Sequence, residues 1–247
     1  RLGQQGLPKY EDGLSTVFNH ELGIYQKGTP SGTYDSSKTT ATYIHLEPRF
    51  TLSYAYDNSA IKLSYNRLNQ YLHLISNTSS PTPLDVWAPS GPHLKPQQLD
   101  QWAVGYFKTI DNGIDLQFES FYKKASNRLD YIDGADLVAN DAVEQVTLPG
   151  KVRAYGVELL LKKSIGRFKS WLAYTWSKSE QQTKGLGMGD PGINQGAWYA
   201  NAFDKRHDLS INASYTLNTK WSFNANMIYQ SGQPTTYPDS QYTFAGL

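Results

Sequence analysis

The feature that most limits how this chain can fold is a two-residue alternation of apolar and polar side chains. In the segment 207–217, Leu209 and Ile211 alternate with Ser210 and Asn212. Successive side chains of a β-strand point to opposite faces, so this pattern predicts a strand with one apolar and one polar face. The same alternation recurs near 49–56, 101–106, 114–119, 168–178 and 221–230. The sequence therefore predicts an all-β chain of antiparallel strands.

The connections between these strands alternate between short and long. The short turns contain turn-forming residues and lie at Asp57–Ser59, Asp111–Gly113, Ile165–Arg167 and Asn218–Thr219. The long loops lie near 29–43, 73–98, 127–150 and 180–204. Strict alternation places all turns at one end of the sheet and all long loops at the other. Bacterial outer-membrane barrels have this asymmetry, with short periplasmic turns and long extracellular loops.

The length of the strands is sufficient to cross a membrane. The segment 205–217 has 13 residues, which at about 3.3 Å per residue extend about 43 Å. At a tilt of about 45° such a strand rises about 30 Å, the thickness of a hydrocarbon core. The sequence therefore predicts an antiparallel up-and-down transmembrane β-barrel segment of about nine strands, beginning near Thr16, in one domain over residues 1–247.

The apolar side chains of the alternation are predicted to face lipid, and the polar ones to face the barrel lumen. The chain is rich in aromatic residues, with 18 Tyr, 6 Trp and 9 Phe, and Trp and Tyr favour membrane–water interfaces. The predicted lipid-facing residues are Leu172, Tyr174, Trp176, Leu209, Ile211, Trp221, Phe223 and Met227.

Composition excludes several other functions. The chain has 23 basic and 22 acidic residues, a net charge of +1, which argues against a basic nucleic-acid interface. It contains no cysteine, so disulfides, thiolate catalysis and Cys-type zinc sites are excluded. The five histidines show no paired ligand spacing, and no nucleophile elbow, phosphate loop or metalloprotease motif occurs. We therefore expect no catalytic residues, no metal and no cofactor.

Several motifs carry a family resemblance. In chain order they are Glu47-Pro48-Arg49, Gln70–Trp87, Pro89–Gln97, Arg153–Glu158 and Trp198–Leu209. Over about residues 47–232 they resemble the barrel of TonB-dependent outer-membrane receptors, in the form common among Bacteroidetes-type bacteria. The resemblance implies a barrel of about 22 strands closed by an N-terminal plug domain. It also implies an inner-membrane TonB complex as energy source, a bacterial outer-membrane location and a surface lipoprotein as a further candidate partner.

The function that the resemblance implies is import of a nutrient too large for porins: a siderophore, a cofactor, a glycan or a peptide. The plug and its TonB-binding segment are expected to lie outside these 247 residues. Trp87 lies in a proline-rich loop, and Trp198 and Tyr199 follow a glycine-rich stretch. These three are the candidate substrate contacts. The alternatives are that the prolines merely stiffen the loop and that Trp198 and Tyr199 belong to the outer aromatic belt.

Two other functions remain open at this stage. The first is an outer-membrane barrel without a plug, acting as a passive channel or an enzyme. The second is a soluble all-β carbohydrate-binding protein, whose strands would average only about 5–6 residues.

Overall fold

The computed structural model describes residues 7–35, 37–75, 86–111, 113–135, 137, 140, 142–187 and 189–235. Within these ranges, three single-turn 3-10 helices lie at Glu11–Gly13, Val143–Gln145 and Asn194–Gly196. No described helix is long and apolar enough to cross a membrane. The strands of the described ranges are β1 (Pro8–Tyr10), β2 (Thr16–Asn19), β3 (Ile24–Lys27), β4 (Pro30–Thr33), β5 (Arg49–Tyr56), β6 (Ser59–Gln70), β7 (Leu72–Ile75), β8 (Val86–Pro89), β9 (Gln97–Ile110), β10 (Ile114–Tyr131), β11 (Thr147–Lys163), β12 (Phe168–Gln182), β13 (Tyr199–Ala200), β14 (His207–Thr216) and β15 (Ser222–Gln230).

Eight long strands form one open sheet, which we call the meander sheet. Its order is β5-β6-β9-β10-β11-β12-β14-β15, and every neighbouring pair is antiparallel. The short strand β13 pairs with the end of β12. Each long strand thus lies beside the long strands that precede and follow it in the chain. This confirms the predicted all-β, antiparallel up-and-down architecture.

The connections of the meander sheet differ at its two edges. At one edge, which we call the turn edge, consecutive strands are joined through residues 57–58, 111–113, 164–167 and 217–221. At the opposite edge, which we call the loop edge, they are joined through residues 71–96, 132–146 and 183–206. Asn112 of the second predicted turn and the proline-rich residues 76–85 lie outside the described residues.

One face of the meander sheet is apolar over its middle rows, with charged residues toward the two edges. Leu116, Leu161, Leu172, Ile211 and Met227 are successive partners across five neighbouring strands. Directly opposed residues of antiparallel strands share a face, so they form one continuous row. We call this face the apolar face. Each of the eight long strands contributes at least two large apolar side chains to it. In sheet order from β5 to β15 these include Phe50 and Leu52, Leu63 and Tyr65, Trp102 and Val104, Phe118 and Tyr122, Val157 and Leu159, Leu172 and Trp176, Leu209 and Ile211, and Phe223 and Met227.

The other face, the polar face, is made of the intervening residues. Asn212 of β14 is opposed by Asn226 of β15, and Glu119 of β10 by Glu158 of β11. The larger rings on this face cover glycines: Phe121 is paired with Gly156, and a Cβ at Gly156 would come within 3.0 Å of the Phe121 ring. Glycine at this position therefore leaves the space that the aromatic ring fills.

The apolar face has no protein layer over it in the described part of the chain. Phe50 is 60% exposed and Phe223 57% exposed. Contiguous apolar surface on this scale is unusual on a soluble protein and typical of a surface that meets a partner or a membrane. Of the predicted lipid-facing residues, Trp221 lies just before β15 at the turn edge, and the other seven lie in β12, β14 and β15 with side chains on the apolar face.

Two boundaries differ from the sequence prediction. The strand predicted near Thr16 forms as β2, but it pairs with β3 in a separate two-stranded sheet and not with the meander. The loop predicted at 127–150 is shorter, because β10 continues to Tyr131 and β11 already begins at Thr147. A β-bulge at Asn127, where φ is 56°, inserts one residue and lets the hydrogen-bonded ladder continue beyond it.

Among the described residues, the buried hydrophobic cluster lies at the loop edge, where the ends of the meander strands meet the long connections. Ile75 of β7, Leu94, Leu129 of β10, Val143 and Val146 form one buried cluster. We call the assembly around this cluster the loop cap. It consists of the described residues of the segment 7–35 and of the three long connections 71–96, 132–146 and 183–206. Its contacts hold the long connections in place.

Candidate functional site

A carboxylate at the end of β10 joins three elements of the loop edge. Asp130 accepts hydrogen bonds from Gln181 Nε2 at 2.8 Å, from Thr183 Oγ1 at 2.7 Å and from the Tyr199 hydroxyl. Its other oxygen accepts the Tyr131 backbone N–H at 3.0 Å. Thr183 is completely buried. The network therefore ties the connection 183–206 to strands β10 and β12.

Tyr199 acts in this network as a neutral donor. Burial, and then the hydrogen bond to Asp130, raise the pKa of Tyr199 to about 12. Gln181 Nε2 also donates to the Tyr199 hydroxyl at 2.7 Å, and Asn201 Nδ2 donates to Gln181 Oε1 at 2.9 Å. The protonated phenol thus keeps its hydrogen bond to the carboxylate across the physiological pH range.

The segment 7–35 docks on the loop cap through polar contacts. The Tyr10 hydroxyl donates to Glu144 Oε1 at 3.2 Å, and Thr16 Oγ1 donates to the Glu144 carbonyl at 3.3 Å. The Tyr25 hydroxyl donates to Asp190 Oδ1 at 2.6 Å. Burial, with the Asp190 carboxylate beside it, raises the pKa of Tyr25. Two separate long connections therefore share this segment as a partner.

A cavity of about 230 Å³ lies between the docked segment and the sheet. This volume lies below the range of about 300–1,000 Å³ that is usual for ligand pockets, so the cavity fits a small group or one part of a larger molecule. His93 Nε2 lies 2.8 Å from the Pro8 carbonyl at its border. The cavity is lined by Gly13, Leu14, Ser15, Pro92, His93, Leu94, Lys95, Asn127, Leu129, Thr147, Pro149 and Leu186.

A buried histidine anchors the hairpin β7–β8. His73 is 1% exposed, and Gln97 Nε2 donates to its Nδ1 at 3.1 Å. The ring proton is therefore on Nε2, which donates to Ser90 Oγ at 2.9 Å. Burial, and then the positive charge of Arg128, lower the pKa of His73. Both effects favour the neutral ring over the protonated ring.

We expect the hairpin β7–β8 to loosen in acid. Because the folded-state pKa of His73 lies below its unfolded value of about 6.5, the full stabilisation is present above that pH and is lost as the pH falls further. Amide hydrogen exchange in β7 and β8, corrected for intrinsic rates, should show lower protection at about pH 5.5 than at about pH 7.5. His73→Gln should remove this difference. Equal pH dependence in the variant would show that other groups cause it.

The three predicted contact residues lie in different surroundings. Trp87 is in β8 at the loop edge and is 58% exposed. The Trp198 ring stacks on the Arg153 guanidinium, whose carbon lies 4.2 Å from the ring centroid. The side chain of Arg153 lies on the apolar face, so Trp198 lies on that side of the sheet. Its neighbour Tyr199 is instead hydrogen-bonded to Asp130. Their role in binding stays a prediction.

Sequence reasoning did not find Asp130, Glu144 or His73 as organising residues of the loop cap. Each acts through partners far away in sequence; Asp130, for example, is 69 residues from Tyr199. The available signal was a charged or polar residue among apolar neighbours, as in Leu129-Asp130-Tyr131. Such a signal names no partner. Groups of three or more metal-binding side chains are absent from the described part of the chain.

Comparison with protein families gives one match. The model described as TonB dependent receptor-like, beta-barrel matches residues 20–246. No curated protein and no solved structure gives a significant match. The matched range includes the whole meander sheet and most of the loop cap.

Proposed function

The chain belongs to the TonB-dependent receptor-like β-barrel family, and on that premise we propose that it forms the part of an outer-membrane barrel that captures a nutrient and guides it inward. The match confirms the family that the sequence motifs resemble. Proteins of this family are receptors and transporters of the bacterial outer membrane rather than enzymes. The nutrient that we propose is a siderophore, a cofactor, a glycan or a peptide.

The separation of the two edges is the observation that carries this proposal. All described turns of the meander sheet lie at one edge and all long connections at the other, while the middle rows of one face are apolar and exposed. In an outer-membrane barrel, such a face meets lipid and the long loops extend to the cell exterior. We therefore assign the apolar face to lipid, the turn edge to the periplasm and the loop cap to the exterior.

Capture is proposed to take place on the loop cap. Loops carried on a rigid scaffold commonly supply binding residues. The loop cap offers an exposed indole at Trp87 and a cavity of about 230 Å³. Packing around Ile75 and the Asp130 network pre-organise the surface, which lowers the entropy lost when a ligand binds.

Passage is proposed to follow the polar face. Its side chains, such as Asn212, Asn226, Glu119 and Glu158, can hydrogen-bond to a hydrated solute and would line the lumen of the barrel. The partners that we propose are outer-membrane lipid, an N-terminal plug domain and the inner-membrane TonB complex. A surface lipoprotein is a further proposed partner, on the loop cap.

Uptake assays with the full-length receptor test this function. Cells with and without the receptor would be supplied with radiolabelled ferric siderophores, cobalamin, oligosaccharides or peptides. We expect one of these four probes to enter only when both the receptor and a functional TonB complex are present. Entry that requires the receptor but persists without TonB would instead establish the passive channel. A lack of receptor-dependent entry for every probe would contradict nutrient import.

Trp87 provides a more local test. Trp87→Ala should weaken binding of the transported probe by roughly tenfold, because an indole that the bound ligand covers can contribute about 1.4 kcal/mol, which is tenfold in affinity. Equilibrium binding to the purified full-length receptor measures this change. Trp221→Ala is the matched control, since Trp221 is similarly exposed, at 62%, but lies at the turn edge. Equal losses in both variants would remove Trp87 from the binding surface.

A further inference from the structure

The cavity of the loop cap has a largely apolar wall. Leu94 and Leu129 line it and belong to the buried cluster. Leu14, from the docked segment 7–35, and Leu186 line it as well. An engineered apolar cavity of about 150 Å³ holds one benzene molecule, so a volume of about 230 Å³ is sufficient for a group of the size of a leucine or phenylalanine side chain.

The lining residues that the structure describes include one lysine and no carboxylate. Lys95 is exposed to solvent, whereas its neighbour Leu94 is buried. No ion pair among the described residues includes Lys95. The other polar side chains of the lining are those of Ser15, His93, Asn127 and Thr147. An apolar wall with a cation at its solvent-exposed side favours a ligand that has an apolar group and a negative charge.

His93 holds the docked segment against this cavity. Its Nε2 donates to the Pro8 carbonyl at 2.8 Å, and its ring meets the Tyr10 ring edge-on, with the centroids 5.0 Å apart. The Tyr10 hydroxyl donates in turn to Glu144. The cavity is therefore pre-organised, which lowers the entropy lost when a ligand binds.

We propose that this cavity binds an apolar carboxylate of the imported nutrient. The apolar group lies between Leu14 and Leu129, and the carboxylate accepts a charge-assisted hydrogen bond from Lys95 Nζ. This inference rests on the proposed function and narrows it, because a neutral glycan has neither the apolar side chain nor the charge. The same chemistry has two sources, the C-terminal residue of a peptide and an aryl carboxylate group of a siderophore.

Equilibrium binding to the purified full-length receptor tests the site. The probes are N-acetyl-L-phenylalanine, its uncharged amide, N-acetylglycine and phenylpropionate. N-acetyl-L-phenylalanine should bind roughly tenfold more tightly than the amide, which lacks the charge, and than N-acetylglycine, which lacks the apolar group. Weaker binding of phenylpropionate than of N-acetyl-L-phenylalanine would assign the carboxylate to a peptide terminus, and equal or tighter binding would assign it to an aryl acid.

Two variants and two matched controls locate the binding. Lys95→Gln should weaken binding of N-acetyl-L-phenylalanine by roughly tenfold and leave binding of the amide unchanged. Leu186→Trp should weaken binding of both probes, because the larger side chain occupies the cavity. Lys184 and Leu22 are exposed in the loop cap and do not line the cavity. Lys184→Gln and Leu22→Trp should therefore bind all probes like the unchanged receptor.

The site and the proposed function fail in different ways. Equal affinity for N-acetyl-L-phenylalanine and its amide, or equal losses in test and control variants, would overturn the site. Binding of the acid without receptor-dependent entry of any nutrient would support the site and contradict the proposed function. Nutrient entry without binding of the acid would support the function and contradict the site.

Discussion

Replacing Ile211 with arginine is expected to destabilise the barrel by about 2–4 kcal/mol, whereas the same change at Asn212 should cost far less. Ile211 lies on the apolar face between Leu172 and Met227. An arginine there would have to lose its hydration in lipid or distort the bilayer. Asn212 lies on the polar face between Trp171 and Asn226, where water can hydrate the guanidinium.

The measurement is the free energy of unfolding of the full-length barrel in lipid vesicles, from denaturant titrations of both variants. The two positions are neighbours in β14, so strand propensity and distance from the turn edge are nearly matched. A similar loss of stability for Ile211→Arg and Asn212→Arg would contradict the assignment of the two faces.

Removing the carboxylate of Asp130 is expected to release the connection 183–206 from the sheet. Asp130→Ala deletes the acceptor for Gln181, Thr183 and Tyr199. Each buried donor that loses its acceptor costs about 1–3 kcal/mol, so amide protection around β13 should fall by roughly 100-fold after partial compensation by water. Hydrogen exchange resolved by peptide would measure this loss in the full-length receptor.

The control for this experiment is Asp133→Ala. Asp133 lies three residues further along the chain, in the connection 132–146, and is exposed, so its removal should leave protection of β13 unchanged. The turn edge should keep its protection in both variants. An unchanged exchange rate in Asp130→Ala would show that the connection is held by its backbone hydrogen bonds, for example Asn201 N to Ser179 O at 3.0 Å.

The meander sheet could be predicted from the sequence because its information is local. A strand such as β14 shows its two faces in its own residues, since Leu209 and Ile211 must lie on one side and Ser210 and Asn212 on the other. The short turns and the order of strands follow from the same local pattern. The aromatic content added the expectation of a membrane interface, which the family match supports.

The loop cap could not be predicted in the same way, because its contacts are not local. Tyr10 meets Glu144 across 134 residues, and Tyr25 meets Asp190 across 165. Neither pair has a periodic pattern that would mark it. The same limit explains why β2 was predicted as a barrel strand: its four residues do not show that β3 is its partner.

The central claim is that the loop edge faces the cell exterior and the turn edge faces the periplasm. Gly187 and Gly166 are both exposed glycines with open space around the Cβ position, one at each edge, so each can accept a short epitope. In the full-length receptor, antibody should label an epitope after Gly187 on intact cells, and an epitope after Gly166 only after the outer membrane is permeabilised. Labelling of the Gly166 epitope on intact cells, with the Gly187 epitope hidden, would contradict the account.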